Sequence, residues 1–141
     1  MTDGILKRYS YSVNANDFTT AGKGSSTIKS NLKSLGIDAN IIRKIAIISY
    51  EAEINIVIHS YGGKLHCDIY ENKIVIISED TGPGIKDVDM AMTEGFSTAT
   101  DNIRELGFGA GMGLPNIKRY SDNLEIKTGN EGTTITVTIC L

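Results

Sequence analysis

Two hydrophobic periods alternate along this chain, and the switches between them outline its elements. "ILKRYSYSV" (5–13) places apolar and polar residues on alternate positions, the period of a half-buried strand. A loop rich in Asn, Thr, Gly and Ser follows. A helix is then predicted from about Ser25 to Leu35, with Gly36 placed to take a left-handed conformation at its end. Asp38 suits the N-cap of a second helix over about 39–60, closed by Gly62-Gly63. "KLHCDIY" and "KIVIISED" flank Glu71-Asn72 and predict a hairpin. "GLPNIKRYSD" restarts a helix, and "NLEIKTGNEGTTITVTICL" ends the chain with two strands around a turn. The order β-α-α-β-β-loop-α-β-β predicts an α+β fold, a two-layer α/β sandwich. Its sheet is expected to be mixed and mostly antiparallel, with the helices on one face. Residues 81–113 break the pattern: they are rich in Gly, Thr and Asp, carry one short helical patch, and are long enough to suggest a functional lid.

Length and charge narrow the class. A chain of 141 residues suits a single domain over 1–141. A net charge of -3 argues against a nucleic-acid or membrane-surface binder, which needs a basic stripe. No apolar run approaches the roughly 18 residues of a membrane span, and the N-terminus lacks the apolar stretch of a signal peptide. Two cysteines far apart fit a reducing cytoplasm, the expected location. His59 and His66 are the only histidines, and His66-Cys67 would alternate across a strand, so a structural zinc site is not expected.

The second helix holds the first candidate chemistry. Glu51, Asn55 and His59 recur every four residues and fall within an arc of roughly 80°. Isoleucines and Val57 take nearly every other direction, so this polar column should face something other than bulk water. Its plain reading is that the three side chains satisfy one another or reach solvent at an edge. Its functional reading is the floor of a polar ligand site. A carboxylate can take a proton from a hydroxyl or water, and an amide oxygen can hold a hard cation such as Mg²⁺. Glu53 lies on a different face and is expected to be a solvated charge.

Two glycine-rich stretches add to this. In "EDTGPGI" (79–85), Asp80 stands where a strand gives way to a turn, and Gly82 and Gly84 permit close approach of the backbone to a ligand. A carboxylate here could accept from an exocyclic amine; the same residues also make a good plain turn. In "GFGAGMGLPNIKRY", Gly107, Gly109, Gly111 and Gly113 precede a helix, an arrangement suited to phosphate or to a hinge. Neither the Walker A pattern nor G-x-G-x-x-G occurs.

In this order, and with "EGTT" near the end, these stretches resemble the ATP-binding boxes of the GHKL (Bergerat-fold) superfamily. The likeness covers essentially the whole chain and is nearest to anti-sigma-factor and switch-type serine/threonine protein kinases. It implies ATP and Mg²⁺ as ligands. Glu51 would orient or deprotonate the attacking hydroxyl, and Asn55 would bind the metal. Asp80 would accept from the adenine amino group, beside Gly82 and Gly84, with Thr133 helping through its hydroxyl. Gly109, Gly111, Met112 and Gly113 would form the lid side of the phosphate site. The implied activity is ATP-dependent phosphorylation of a small regulatory protein, an anti-anti-sigma or STAS-like antagonist. A sigma factor is a further implied partner, and a homodimer fits the same family. Some relatives carry an arginine two residues before "GMG"; here Gly109 stands there, with Arg104 five residues upstream. A nucleotide-sensing interaction module without efficient phosphotransfer is therefore the alternative. The ATP-binding half of a sensor histidine kinase is a third reading, disfavoured because no phosphoacceptor His lies in a dimerising helix.

Overall fold

The computed structural model describes residues 4–85, 88, 92 and 113–141. Strand β1 (Lys7–Val13) leads into helices α1 (Lys23–Ser34) and α2 (Ala39–His59). A hairpin of β2 (Gly63–Ile69) and β3 (Lys73–Asp80) follows, then α3 (Gly113–Tyr120), β4 (Asn123–Gly129) and β5 (Gly132–Cys140). The strands form one sheet in the order β1-β2-β3-β5-β4. The α+β class holds, and all four pairings are antiparallel, so the parallel component of a mixed sheet is absent among the described strands.

Period-two alternation sorts the sheet. Leu65, Cys67 and Ile69 of β2, Ile74 and Ile76 of β3, and Ile135, Val137 and Ile139 of β5 face the helices in one core. The core is closed by Ile28 and Leu32 of α1, Ile45, Ile48 and Ile56 of α2, and Ile117 of α3. Burial pushes the Cys67 thiol up to about 12, so it behaves as a packing residue. His66, its neighbour, points to the opposite face, where it meets Ser10 at 2.8 Å and Glu79 at 3.3 Å. Arg8 clamps Asp68 there with two hydrogen bonds of 2.6 and 2.8 Å. That face is largely polar, with Val75 and Ile77 as apolar exceptions, and the other is apolar, which is why the three described helices pack on one side.

Helix α2 begins as its sequence predicts: Asp38 accepts the Asn40 N–H at 3.0 Å. Helix α1 begins differently. Gly22 occupies its N-cap at φ +94°, and no side chain of α1 caps its first turn. The cap comes from α2, where Glu53 is only 3% exposed. Its carboxylate accepts the N–H groups of Gly22 at 3.1 Å, Gly24 at 3.2 Å and Ser25 at 2.9 Å. The expectation of a solvated charge at Glu53 is thus overturned. A carboxylate is tolerated in the interior because the positive end of α1 and three unsatisfied donors meet it there.

Glu53→Ala leaves three donors without a partner. It is expected to cost about 3 kcal/mol or more, lowering the melting temperature by about 10 °C. Glu53→Gln, which keeps one acceptor oxygen, should fall between the two in the same thermal melt. An unchanged melt for Glu53→Ala would show that the cap carries no stability.

Candidate functional site

The alternation that builds the core also brings Asp80 in. Along β3 the core-facing positions run Ile74, Ile76, Ser78 and Asp80, so the last of them is a half-buried carboxylate at the strand's end. Its Oδ1 accepts the Thr133 N–H at 3.0 Å, leaving Oδ2 for another donor. Burial raises its pKa above the usual carboxylate range, and the Thr133 N–H partly offsets this.

The turn after Asp80 lies against the β4–β5 hairpin. The Gly82 N–H reaches the Glu131 carbonyl at 3.2 Å, and the Ile85 N–H reaches Thr128 Oγ1 at 2.7 Å. Thr128 and Thr133 share a hydrogen bond of 2.8 Å between their hydroxyls. Gly84, at φ +76°, lies so close to the Gly129 carbonyl that a Cβ would collide with it. Gly132 is in the same position against the Asp80 carbonyl. Two glycines therefore let backbone strands approach where side chains would hold them apart.

A second cluster forms on α2 opposite α3. Glu51 is half-buried, and a Cβ added at Gly113 would lie 3.3 Å from its Oε2. The Asn116 side chain hydrogen-bonds the same carboxylate. Burial raises the Glu51 pKa, and the Asn116 bond opposes that rise. Asn55 follows one turn on, also half-buried. His59 comes next; burial lowers its imidazole pKa from the ordinary value.

The two clusters are tied together at the end of α2. The Tyr61 N–H donates to the Thr81 carbonyl at 2.8 Å, and the Thr81 N–H to Gly62 at 3.0 Å. The Glu51–Asn55–His59 column therefore runs from the start of α3 towards the turn that follows Asp80, about 12 Å along the helix axis.

Of the residues singled out from sequence, Asp80, Gly82, Gly84 and Thr133 gather at one end of this column, and Glu51 and Gly113 at the other. Asn55 lies between them. Gly109, Gly111, Met112 and Arg104 fall outside the described residues. Three neighbours were missed. Asn116 stands three residues after Gly113, one helical turn on. Thr128 is paired directly opposite Thr133 across a hairpin whose turn was recognisable. Gly132 belongs to that turn and to the "EGTT" stretch, but its contact with the Asp80 carbonyl is not readable from either.

The donor set is informative about metal. The Glu51 carboxylate and the Asn55 amide supply hard oxygen atoms, yet the described residues contain no group of three or more His, Cys, Asp or Glu able to hold an ion. This suits a hard cation whose remaining ligands come from a bound anion, as Mg²⁺ on phosphates requires, and does not suit an all-protein cage.

Three described helices on one face of an antiparallel sheet match the fold of a GHKL-type ATPase domain. The histidine kinase-like ATPase domain matches residues 16–139, and the chain belongs to that family. Among its relatives, an anti-sigma F factor of Clostridium novyi (strain NT) is 38% identical over 92 residues, 60% of this chain and 61% of that protein. The serine/threonine-protein kinase RsbT of Bacillus subtilis is 43% identical over 61 residues, 43% of this chain and 40% of that one. The matched region thus spans about three fifths or less of these relatives' length. In solved structures, the RsbU and RsbW domains of a Mycobacterium tuberculosis protein superpose with a TM-score of 0.59 at 17% identity, over 92% of this chain and 32% of that one. A chain of the SiaB-SiaC complex from Pseudomonas aeruginosa gives 0.59 at 12% identity, over 96% and 90%. These two likenesses concern the fold. Among the described residues, no helix is long and apolar enough to cross a membrane.

Because burial raises the Glu51 pKa, its contribution to stability is fully present below about pH 4, the unfolded value, and is lost as pH rises through the folded value. Glu51→Gln keeps an acceptor for Asn116 and removes the ionisation. The melting temperature of Glu51→Gln relative to wild type should therefore rise by a few degrees between pH 4 and pH 7. A difference independent of pH would show that Glu51 is not desolvated in the free protein.

Proposed function

We propose that this protein is an ATP-dependent serine/threonine kinase of the anti-sigma or switch type, acting on a small regulatory protein. The observation that carries this reading is the polarity of the α2 column. A carboxylate with a free oxygen, Asp80, lies beyond one end and a second carboxylate, Glu51, lies at the other, with the column between running about 12 Å along the helix axis.

In this reading Asp80 Oδ2 accepts from the adenine amino group while the Thr133 N–H holds Oδ1 in place. The close packing at Gly84 and Gly132 keeps the base-side turn thin. Asn55 would hold Mg²⁺, and Gly109, Gly111, Met112 and Gly113 would supply the lid side of the phosphate site, as the family likeness implies. Bound Mg-ATP supplies the γ-phosphoryl group. Glu51 accepts the proton from the partner's Ser or Thr hydroxyl, and its raised pKa makes it a stronger base than an exposed carboxylate. Asn116 fixes the orientation of that carboxylate. The anti-sigma F factor and RsbT relatives support a partner of the anti-sigma switch class.

Gly109 keeps a second reading in play, a nucleotide-sensing interaction module. Phosphoryl transfer depends on positioning and charge stabilisation, and a cation missing at that position would slow transfer without preventing nucleotide binding.

A thermal-shift titration tests the pocket. Mg-ATP and Mg-ADP at about 100 times their Kd should add about 2.7 kcal/mol of stability, and Asp80→Asn should abolish most of that shift while Mg-GTP produces little. No shift with any nucleotide at millimolar levels would sink the reading. Transfer of labelled phosphate to an anti-anti-sigma-type protein should fall at least a hundredfold in Glu51→Ala, with the Mg-ATP shift retained. Labelling that survives in Glu51→Ala would remove Glu51 as the base. Retained nucleotide shifts with no labelling by wild type would favour the sensing module.

A further inference from the structure

Beside Glu51, and apart from the Asp80 pole, the packing of α1 on α2 leaves a groove of about 870 Å³. Its lining on α2 recurs at helical spacing, from Ala39 through Ile42, Ala46 and Ile47 to Tyr50 and Glu51. These residues cover about half the circumference of α2, from Ile42 on one side to Glu51 on the other, so one broad face of the helix forms a wall about 18 Å long, or three helical turns. The floor is apolar. Its rim is cationic: Lys29 and Lys33 come from α1 and Arg43 from α2, all exposed. Tyr50, 39% exposed, adds an aromatic ring to that floor.

Charge marks this face as different from the rest of the molecule. Three cations, Lys29, Lys33 and Arg43, and one carboxylate, Glu51, line the groove, a local net charge of +2 in a chain whose total is -3. The ion pairs found among the described residues are Arg8–Asp68 and His66–Glu79, both on the far face of the sheet. Lys29, Lys33 and Arg43 thus have no acidic partner there. A basic rim on an apolar floor, on an otherwise acidic protein, is complementary to an acidic amphipathic helix.

We propose that the α1–α2 groove receives the protein partner as an acidic amphipathic helix about three turns long. Its apolar stripe lies on Ile42, Ala46, Ile47 and Tyr50, and its carboxylates face Lys29, Lys33 and Arg43. Because the groove ends at Glu51, the docked helix brings its own chain's hydroxyl to that carboxylate. This deepens the kinase reading and rests on it: the groove selects the substrate that Glu51 serves. The cationic rim does in binding what the Glu51 site cannot do alone, which is to discriminate among hydroxyl-bearing proteins.

Fluorescence anisotropy on the full chain tests the groove. The probes are a labelled 14-residue peptide with Leu at i, i+3, i+4 and i+7 and Glu on the flanks, its Lys-flanked counterpart, and a single-stranded oligonucleotide. The Glu-flanked peptide should bind at least about tenfold more tightly than the Lys-flanked one, and raising salt should weaken it. Lys29→Glu/Lys33→Glu/Arg43→Glu should lose that preference about tenfold or more, whereas Lys127→Glu on β4 should leave it unchanged. Equal binding of both peptides, or an acidic peptide held equally by the triple variant, overturns the proposal. So does equal or tighter binding of the oligonucleotide, which would mark an unselective polyanion patch. The Mg-ATP thermal shift of the triple variant serves as a folding control and separates the two readings. If wild type shows no such shift, the kinase reading fails; if the shift is intact and the peptide does not bind, only the groove assignment fails.

Discussion

One carboxylate organises the helical layer. Glu53 is buried inside the helix pair and receives three backbone N–H groups from the first turn of α1. Burying a charge without partners would be prohibitive, so α1 can start only where its donors meet that carboxylate. The constraint acts in both directions: α1 lacks a cap of its own, and Glu53 has no other set of donors among the described residues. It sets where α1 begins on α2, and so the width and direction of the groove between them.

The same helix carries a second carboxylate with the opposite fate. Glu51 lies two residues before Glu53, roughly 200° away around the axis, where its carboxylate reaches α3 at the edge of the α1–α2 groove. Glu53 is saturated by hydrogen bonds, while Glu51 has one described partner, Asn116, and a pKa raised by burial. A saturated carboxylate is structural, and an unsaturated desolvated one is chemically poised. Two residues of helix separate the two roles because a step of 100° per residue points them at different neighbours.

The polar column of α2 gains its meaning from its ends. Alone, Glu51, Asn55 and His59 could satisfy one another at an edge. The hydrogen bonds between Tyr61, Gly62 and Thr81 dock the end of α2 on the turn after Asp80, and so align the column with a second carboxylate contributed by the sheet. Gly84 and Gly132 make this docking compact, since a Cβ at either would strike a backbone carbonyl.

Much of this was legible in the sequence, for local reasons. The Asp38 cap, the Glu71-Asn72 hairpin, the alternation in β3 and β5 and the four-residue spacing on α2 depend on neighbours a few positions apart, and period and turn chemistry report them directly. The likeness of the boxes to an ATP-binding family rested on the same short stretches. What only the tertiary structure decided involves partners far apart in the chain. Glu53 looked like a solvated charge because its donors lie about 30 residues away in α1. The contacts of Thr128, Gly132 and Asn116 were not legible because their partners Ile85, Asp80 and Glu51 lie on other elements. A residue's own helix face determines which way it points; whether it meets water, an orphan helix end or a carbonyl is determined by whatever element packs there.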